Sequence, residues 1–514
     1  MKLFKAMATV AGLTGLSRIL GFVRDILTAA ILGAGPIADA FFVALKLPNF
    51  FRRVTAEGAF SVSFVPIYSE RLEQGSDGEA DRFASNAFAI MLLFLVPFTL
   101  IALILMPFII YGIAPGFQSD PVRYDTAVEL SRITFPYLLL MSLTALMGGV
   151  LNARDKFAPF AGAPILFNLV LIIALIGFTP ILESAGHAMA WGVFGAGIAQ
   201  FLWLLFWIKR YGVRLRLKKP EFTPNIKKLF KLMGPGVLGA GVMHVNLLAD
   251  MIMGSLLAAG SISYLYYADR LNQLPLGMVG IAVGTALLPL LSKALAKGEA
   301  AEANNLFNRA MEICLLLSLP AATALIVVPD TLIHTLFERG EFGAEDTAMT
   351  AKVLMAYAIG LPAYIGVKVY SSVFWANQDT LSPVKISILT TILNIALSFI
   401  LIQFIGVVGI ALGTGLMGWL QFVLLQRQCK KNAAAKFDDR FKKVFLKIVM
   451  ACMLMAITLI GFDHLISQMS DGTEVKKALA LMGLVGAGGL VYSAVILGTG
   501  AIKLPELKRY LKRK

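Results

Sequence analysis

The residues of this chain best suited to chemistry are charged side chains that lie within strongly apolar sequence near its beginning. They are Arg18, Arg24, Asp25, Asp39, Lys46, Arg52, Arg53 and Glu57. Moving one such charge into membrane hydrocarbon costs from about 3 to more than 10 kcal/mol. The charges must therefore be enclosed in a polar or hydrated interior. Because a planar guanidinium group binds phosphate or carboxylate through paired hydrogen bonds, this interior is suited to an anionic ligand.

The spacing of these residues predicts a polar face on each of two helices. At about 100° per residue, one stripe of the first helix contains Ser17, Arg18, Arg24 and Asp25. A narrower face of the next segment contains Asp39, Lys46, Arg53 and Glu57, with Asn49 and Arg52 beside it. Pro48 removes a backbone donor from this segment and predicts a kink or a break there.

The composition indicates an all-α polytopic membrane protein. Of its 514 residues, 58% are hydrophobic and only 15% are charged, whereas soluble domains are about one quarter charged. Stretches of roughly 20 apolar residues, the length that crosses a bilayer, recur throughout. We predict fourteen transmembrane segments, at 8–32, 37–68, 85–113, 128–152, 160–182, 186–208, 232–260, 266–296, 309–336, 348–376, 383–404, 406–428, 443–467 and 478–500.

The basic residues predict the orientation of these segments. An even number of spans places both termini on one side, and the basic stretches 209–231, 427–447 and 503–514 all fall on that side. The positive-inside rule therefore predicts cytoplasmic N- and C-termini. The net charge of +15 is explained by this topology and by contact with anionic membrane lipids. No nucleic-acid partner is expected, because the basic stretches lack interleaved aromatic residues.

The chain also repeats itself at a spacing of about 225 residues. Four pairs of matching positions occur in register. They are Asp25 and Gly35 with Asp250 and Gly260, Pro66 with Pro289, Pro136 with Pro362, and Asp155 with Asp379. Each copy holds six spans, which predicts two lobes related by a parallel pseudo-two-fold axis, with substrate bound between them. The expected divisions are an N-lobe at 1–208, a basic cytoplasmic linker at 209–231, a C-lobe at 232–428, and two additional helices with a basic tail at 429–514.

The second lobe adds Asp269 and Arg270 at the corresponding repeat position. The six cations of the combined set then exceed its four acids by two, which favours a substrate that bears phosphate or carboxylate. Two alternatives stay open. Each of the aspartates could form an internal salt bridge that holds helices together. Arg52 and Arg53 could instead lie at a cytoplasmic helix end, as the positive-inside rule allows.

Several strings resemble one family. They are Ser17-Arg-Ile-Leu-Gly-Phe-Val-Arg-Asp25, Lys46-Leu-Pro-Asn-Phe-Phe-Arg-Arg53, Ala56-Glu-Gly-Ala-Phe60, Tyr266-Tyr-Ala-Asp-Arg270 and the segment from Asp379 to Lys385. Together they resemble the MurJ (MviN) family of bacterial lipid II flippases, within the MOP exporter superfamily. The resemblance extends over essentially the full chain.

This resemblance implies a transporter, not an enzyme, that moves undecaprenyl-pyrophosphate-linked disaccharide-pentapeptide between the leaflets of the bacterial inner membrane for peptidoglycan synthesis. It implies a central cavity lined by the charged residues above, with Ser17, Asn49, Ser263 and Asp269 in the same neighbourhood. The last two helices would form a groove for the polyprenyl tail. Some relatives carry an acid at the position of Gln273, so this chain departs from them there.

The resemblance also bears on cofactors and partners. No cofactor is expected other than a coupling monovalent cation, with Asp250, Asn377 and Asp379 as candidate ligands. Lipid II is the expected substrate, and proteins of cell-wall synthesis are further possible partners. The sequence contains no G-x-x-x-x-G-K-[ST] motif for a nucleotide, so an ion gradient or the membrane potential would drive transport.

Two other functions compete with this prediction. One is a different MOP-type exporter that carries polyprenyl-linked oligosaccharides; an exporter of organic cations would need an acidic cavity. The other is a membrane enzyme that acts on polyprenyl phosphates, which would need an acidic metal-binding cluster at the cytoplasmic face. The adjacent acids Asp438 and Asp439 lie among lysines and an arginine, a pattern typical of a solvated charged loop.

Overall fold

The computed structural model describes residues 2–54, 60–74, 77–282, 287–429, 435–467 and 474–501. Over these ranges the chain is helical and contains no β-strand. The described residues form nineteen α-helices: α1 Lys2–Leu32, α2 Pro36–Phe51, α3 Ser61–Gln74, α4 Asp77–Ile104, α5 Met106–Ile113, α6 Pro121–Thr134, α7 Tyr137–Ala153, α8 Ala158–Phe178, α9 Ala185–Arg210, α10 Pro224–Ser255, α11 Ser261–Ala282, α12 Leu288–Ala296, α13 Ala300–Val327, α14 Pro329–Phe337, α15 Ala344–Ala376, α16 Leu381–Ile405, α17 Val407–Cys429, α18 Asp439–Ser467 and α19 Glu474–Gly498.

Each predicted transmembrane segment overlaps one of these helices or two consecutive ones. Ten stretches among the described residues are long and apolar enough to cross a membrane, which confirms an all-α multi-pass membrane protein. Those ten leave out the predicted segments 8–32, 37–68, 232–260 and 266–296, so the total of fourteen stays a prediction. These four segments carry most of the predicted site residues.

The predicted segment 37–68 contains a proline whose effect is compensated locally. α2 continues through Pro48 to Phe51, and a π-helical turn follows at 52–54. Pro48 therefore does not end the helix. The ring nitrogen leaves the carbonyl four residues earlier, at Ala44, without its helical donor. The Thr134 hydroxyl of α6 donates to that carbonyl at 2.8 Å, which satisfies it without water.

The helices form two compact units. The first runs to Ser263 and also includes Arg339–Phe342, and the second contains the remaining residues from Tyr264 onward. Within the first unit α1 packs on α8, α2 on α6 and α8 on α9. Within the second, α15 and α16 pack on α17, and α18 packs on α13 and α19. The lobes at 1–208 and 232–428 are defined by the repeat, and their boundaries stay a prediction.

The repeat appears as the same turn in both units. After α7, the amide of Lys156 donates to the carbonyl of Leu151 at 2.9 Å; after α15, the amide of Asp379 donates to the carbonyl of Phe374 at 2.9 Å. The residue before each amide, Asp155 or Gln378, has φ of 59°. Asp155 and Gln378 therefore occupy equivalent positions in the two turns. The sequence match instead aligns Asp155 with Asp379, one residue later.

In the first unit, the short segment Arg339–Phe342 packs against the end of α1. The Glu341 amide donates to the Ala30 carbonyl at 2.9 Å. Gly33 and Gly340 both have positive φ, of 68° and 59°. A Cβ atom on Gly340 would lie 2.1 Å from the Ala30 oxygen, so this close approach requires glycine.

We expect Gly340→Ala to destabilise the protein more than Gly298→Ala. Gly298 has φ of 74°, but a Cβ atom added there would have no neighbour within 4 Å, so its substitution adds only the backbone strain of about 1–2 kcal/mol. At Gly340 the collision with Ala30 adds to that strain. Thermal unfolding of both variants in the same detergent measures the difference. Equal melting temperatures would contradict close packing of this segment.

Candidate functional site

The first cluster of predicted site residues lies between α1 and α8. Arg24 is only 9% exposed. Its Nε and Nη2 donate to Asp25 Oδ1 at 3.2 and 2.7 Å, and its Nη1 donates to Asn168 Oδ1 at 2.9 Å. The guanidinium carbon also lies 5.7 Å from the centre of the Phe167 ring. Arg24 is therefore held by one carboxylate and one amide while it remains charged.

The amide that holds Arg24 is itself fixed by α1. Asn168 donates from Nδ2 to the Ser17 carbonyl at 2.9 Å. Gly21 lies beside this amide, and a Cβ atom there would lie at ordinary van der Waals distance from Asn168 Nδ2. Ser17 and Arg24 thus meet the same side chain, as the predicted stripe requires. Arg18, on the same helix, is exposed.

Asp39 forms a second and separate cluster. Its carboxylate is fully buried and accepts from Arg123 Nη2 at 3.1 Å. It also accepts from the Gly260 amide at 2.8 Å, the Ser263 amide at 2.9 Å and the Ser263 hydroxyl at 2.7 Å. Arg123 in turn donates to the Leu257 carbonyl at 3.0 Å and lies 4.2 Å from the centre of the Phe117 ring.

This arrangement makes Asp39 the centre of an internal salt bridge, one of the two roles that the sequence left open. Ser263, a predicted site residue, directs both its amide and its hydroxyl to Asp39. Arg123 was not among the predicted cations. Arg123 neutralises Asp39, which leaves three acids in the predicted set. The six predicted cations then exceed the acids by three instead of two.

The other residues of the second stripe lie around the end of α2. Asn49 donates to the Leu45 carbonyl at 2.8 Å and accepts from Arg52 Nε at 3.1 Å. Lys46 and Arg52 are half-buried, and Arg53 is exposed. The π-helical turn at 52–54 carries both arginines. Glu57 lies outside the residues that the structure describes.

In the second unit, Asp269 and Arg270 follow one another on α11. Both are partly buried. Gln273 donates to Asp269 Oδ2, so the residue at which this chain departs from some relatives contacts a predicted site residue. The Arg270 guanidinium lies 4.6 Å from the centre of the Tyr266 ring, a distance typical of a cation–π contact.

The candidate ligands for a monovalent cation are divided between the two units. Asp250 belongs to the first unit, and Asn377 and Asp379 belong to the second. Asn377 Nδ2 donates to the Val373 carbonyl at 2.8 Å. Asp379 accepts from the Ser382 amide at 2.9 Å, and its hydrogen bonds with Ser382 hold the pKa of this carboxyl below its ordinary value. The cation site stays a prediction.

Sequence reasoning missed two residues of these clusters, Asn168 and Arg123. Asn168 lies in a strongly apolar helix, where an amide is costly unless it is hydrogen-bonded, and Asn394 repeats it 226 residues later. That pairing is a signal that the sequence contained. Arg123 lies at the start of α6, within the loop between the predicted segments 85–113 and 128–152. Nothing in the sequence therefore distinguishes it from a surface arginine.

Comparison with known proteins identifies the family. The family model described as "Lipid II flippase MurJ" matches residues 28–479. The chain belongs to the MurJ family. A relative from Rhizobium meliloti (strain 1021), named "Probable lipid II flippase MurJ", is 38% identical over 520 residues, covering 100% of this chain and 97% of the relative. MurJ proteins are transporters, so the prediction that the chain is not an enzyme is confirmed.

Solved structures agree with the MurJ assignment. "Lipid II flippase MurJ, inward closed conformation" matches with a TM-score of 0.78 at 27% identity, over 98% of this chain and 99% of that one. A multidrug resistance MATE family transporter of the MOP superfamily, in an inward-facing conformation, matches with a TM-score of 0.66 at 15% identity, over 85% and 99%. The second likeness concerns the fold alone.

We expect Asp39→Asn to destabilise the protein by about 3–5 kcal/mol, because the substitution leaves the buried Arg123 without its counter-ion. Asp39→Asn combined with Arg123→Met should cost less than the two single changes added together, since both charges are then gone. Glu70→Gln is the control, because the Glu70–Lys228 pair is exposed and such pairs contribute at most about 1 kcal/mol. Chemical or thermal unfolding measures all four variants. If the destabilisation of the double variant equals the sum for the two single variants, Asp39 and Arg123 are not coupled.

Proposed function

We propose that this chain is a lipid II flippase that exposes one anion-binding site to each side of the membrane in turn. Membership of the MurJ family supports the substrate, since relatives over the whole length carry that name. The observation that carries the proposal within the chain is Arg24, a charged guanidinium held among membrane-spanning helices by Asp25 and Asn168. A pyrophosphate is the part of lipid II that such a group recognises.

The described cations have different proposed roles. Arg24 is preorganised, because Asp25 and Asn168 fix the plane of its guanidinium before any ligand arrives. Arg18 and Arg53 are exposed and would make the first contact with the phosphates. Arg270, which lies over the Tyr266 ring, is a further cation proposed to bind the pyrophosphate. Asp39 supports the site indirectly, by fixing the beginning of α11 through Gly260 and Ser263.

The location and energy source follow from the proposed substrate. Lipid II is made at the cytoplasmic face, so we place the chain in the bacterial inner membrane with both termini in the cytoplasm. Its basic stretches would contact anionic lipids there, and proteins of cell-wall synthesis are further partners. The membrane potential supplies about 2.3 kcal/mol per charge per 100 mV, and the gradient of a monovalent cation would be a second source.

We expect Arg24→Ala and Arg270→Ala to abolish transport while leaving membrane insertion intact. Each removes a guanidinium proposed to bind pyrophosphate. The measurement is complementation after depletion of the native protein, with lipid II accessibility at the outer leaflet as the direct readout. Arg71→Ala is the control, because Arg71 pairs with Glu79 at 3.9 Å on the surface. Normal transport by Arg24→Ala, at the protein level of the wild type, would contradict the proposed anion-binding site.

We expect Asn168→Ala to reduce transport at least several-fold, because Arg24 then loses a partner that fixes its orientation. The repeat provides a matched control in Asn394→Ala. Asn394 is equally buried but accepts from the Ser398 hydroxyl at 3.3 Å instead of from an arginine. Both variants should lower the melting temperature to a similar extent. If Asn168→Ala and Asn394→Ala reduce transport equally, the substitution of Asn168 acts through folding and not through the orientation of Arg24.

A further inference from the structure

A second cluster, which contains none of the residues of the proposed anion site, lies in the first unit. His187 stands in the first turn of α9, Glu183 precedes that helix, and Glu129 lies on α6. Their ligand atoms all lie within 4.8 Å of one another, and among the described residues they are the group of three side chains that meets this condition. We propose that His187, Glu129 and Glu183 form a binding site for a divalent transition metal of the zinc type.

The distances within the cluster favour a shared metal over direct ion pairs. His187 Nε2 lies 3.4 Å from Glu129 Oε2 and 3.6 Å from Glu183 Oε2. A charge-assisted hydrogen bond is shorter, at about 2.7–2.9 Å. Zinc binds nitrogen and oxygen at about 2.0–2.2 Å in tetrahedral geometry, so two of its ligands lie about 3.3–3.6 Å apart. The observed separations therefore match edges of a zinc coordination tetrahedron.

The histidine ring is oriented as a metal ligand requires. The His187 side chain is only 12% exposed, and its buried Nε2 has no hydrogen-bond partner. Nδ1 lies 2.9 Å from the Ser184 hydroxyl, which also accepts from the His187 amide at 3.3 Å. A hydroxyl oxygen can accept both bonds. When Nδ1 carries the proton, the lone pair of Nε2 faces the two carboxylates, and a cation between them removes the repulsion.

The surroundings leave room for a fourth ligand. The cluster lines a cleft of about 670 Å³ together with Asp125 and Arg132, among other residues. The side chains of Glu129 and Glu183 are 57% and 80% exposed, so water can complete the coordination. Arg132 donates from Nε to the Leu103 carbonyl at 3.2 Å. A bound metal would connect α6 to the segment before α9, on the face predicted to lie outside the cytoplasm.

Binding of ZnCl₂ and CoCl₂ to the chelator-treated full-length protein in detergent tests this site. We expect one ion per chain with micromolar affinity, a visible cobalt absorption spectrum of low-symmetry, nitrogen- and oxygen-coordinated type, and a rise in melting temperature. A large excess of MgCl₂ should not displace the ion, because magnesium prefers oxygen ligands in octahedral geometry. His187→Ala should abolish binding, and Glu129→Gln or Glu183→Gln should weaken it at least tenfold.

Two control variants separate coordination from general charge. Asp125→Asn removes a carboxylate from the same cleft and should leave stoichiometry and affinity unchanged. His334→Ala removes a histidine whose Nδ1 pairs with Glu338 at 2.9 Å, and should also have no effect. Zinc binding that persists in His187→Ala, or that is lost equally in Asp125→Asn, would overturn the proposal, as would absence of binding to the wild-type protein at 100-fold excess over the expected micromolar range.

Discussion

Polar groups inside a membrane-spanning bundle must find their partners within the protein, because lipid hydrocarbon supplies no hydrogen bonds. The most demanding case here is the fully buried carboxylate of Asp39. It accepts from Arg123, Gly260 and Ser263, which joins α2, α6 and the start of α11. Residues far apart in the chain are thus held together by the need to satisfy one charge.

The same requirement explains how a proline is accommodated in α2. The carbonyl of Ala44 loses its helical donor at Pro48 and receives the Thr134 hydroxyl instead. One residue on, the Leu45 carbonyl accepts from the Asn49 side chain, and Asn49 also accepts from Arg52. Asn49 therefore contacts both the helix backbone and a predicted site arginine.

Arg24 and Asp39 illustrate two uses of a buried charge. Asp39 is surrounded on all sides by donors within its own unit, and its role is to fix helices. Arg24 is held by Asp25 and Asn168, and Arg18 on the same helix is exposed. A guanidinium that is preoriented before binding loses less conformational entropy when a phosphate arrives. The difference between the two residues lies in their partners and not in their depth.

The sequence predicted the all-helical membrane fold, the repeat and the stripe that contains Ser17 and Arg24, because hydropathy and helical periodicity are local properties. It also contained the resemblance that the family comparison confirmed. It could not identify Arg123 as the partner of Asp39, since that pairing depends on contact between elements 84 residues apart. The same limit applied to the contact between Asn168 and Arg24 and to the grouping of His187 with Glu129. The local sequence pattern determines which polar residues must be buried. Only the packing of helices that are distant in the chain determines which side chain is the partner of each buried residue.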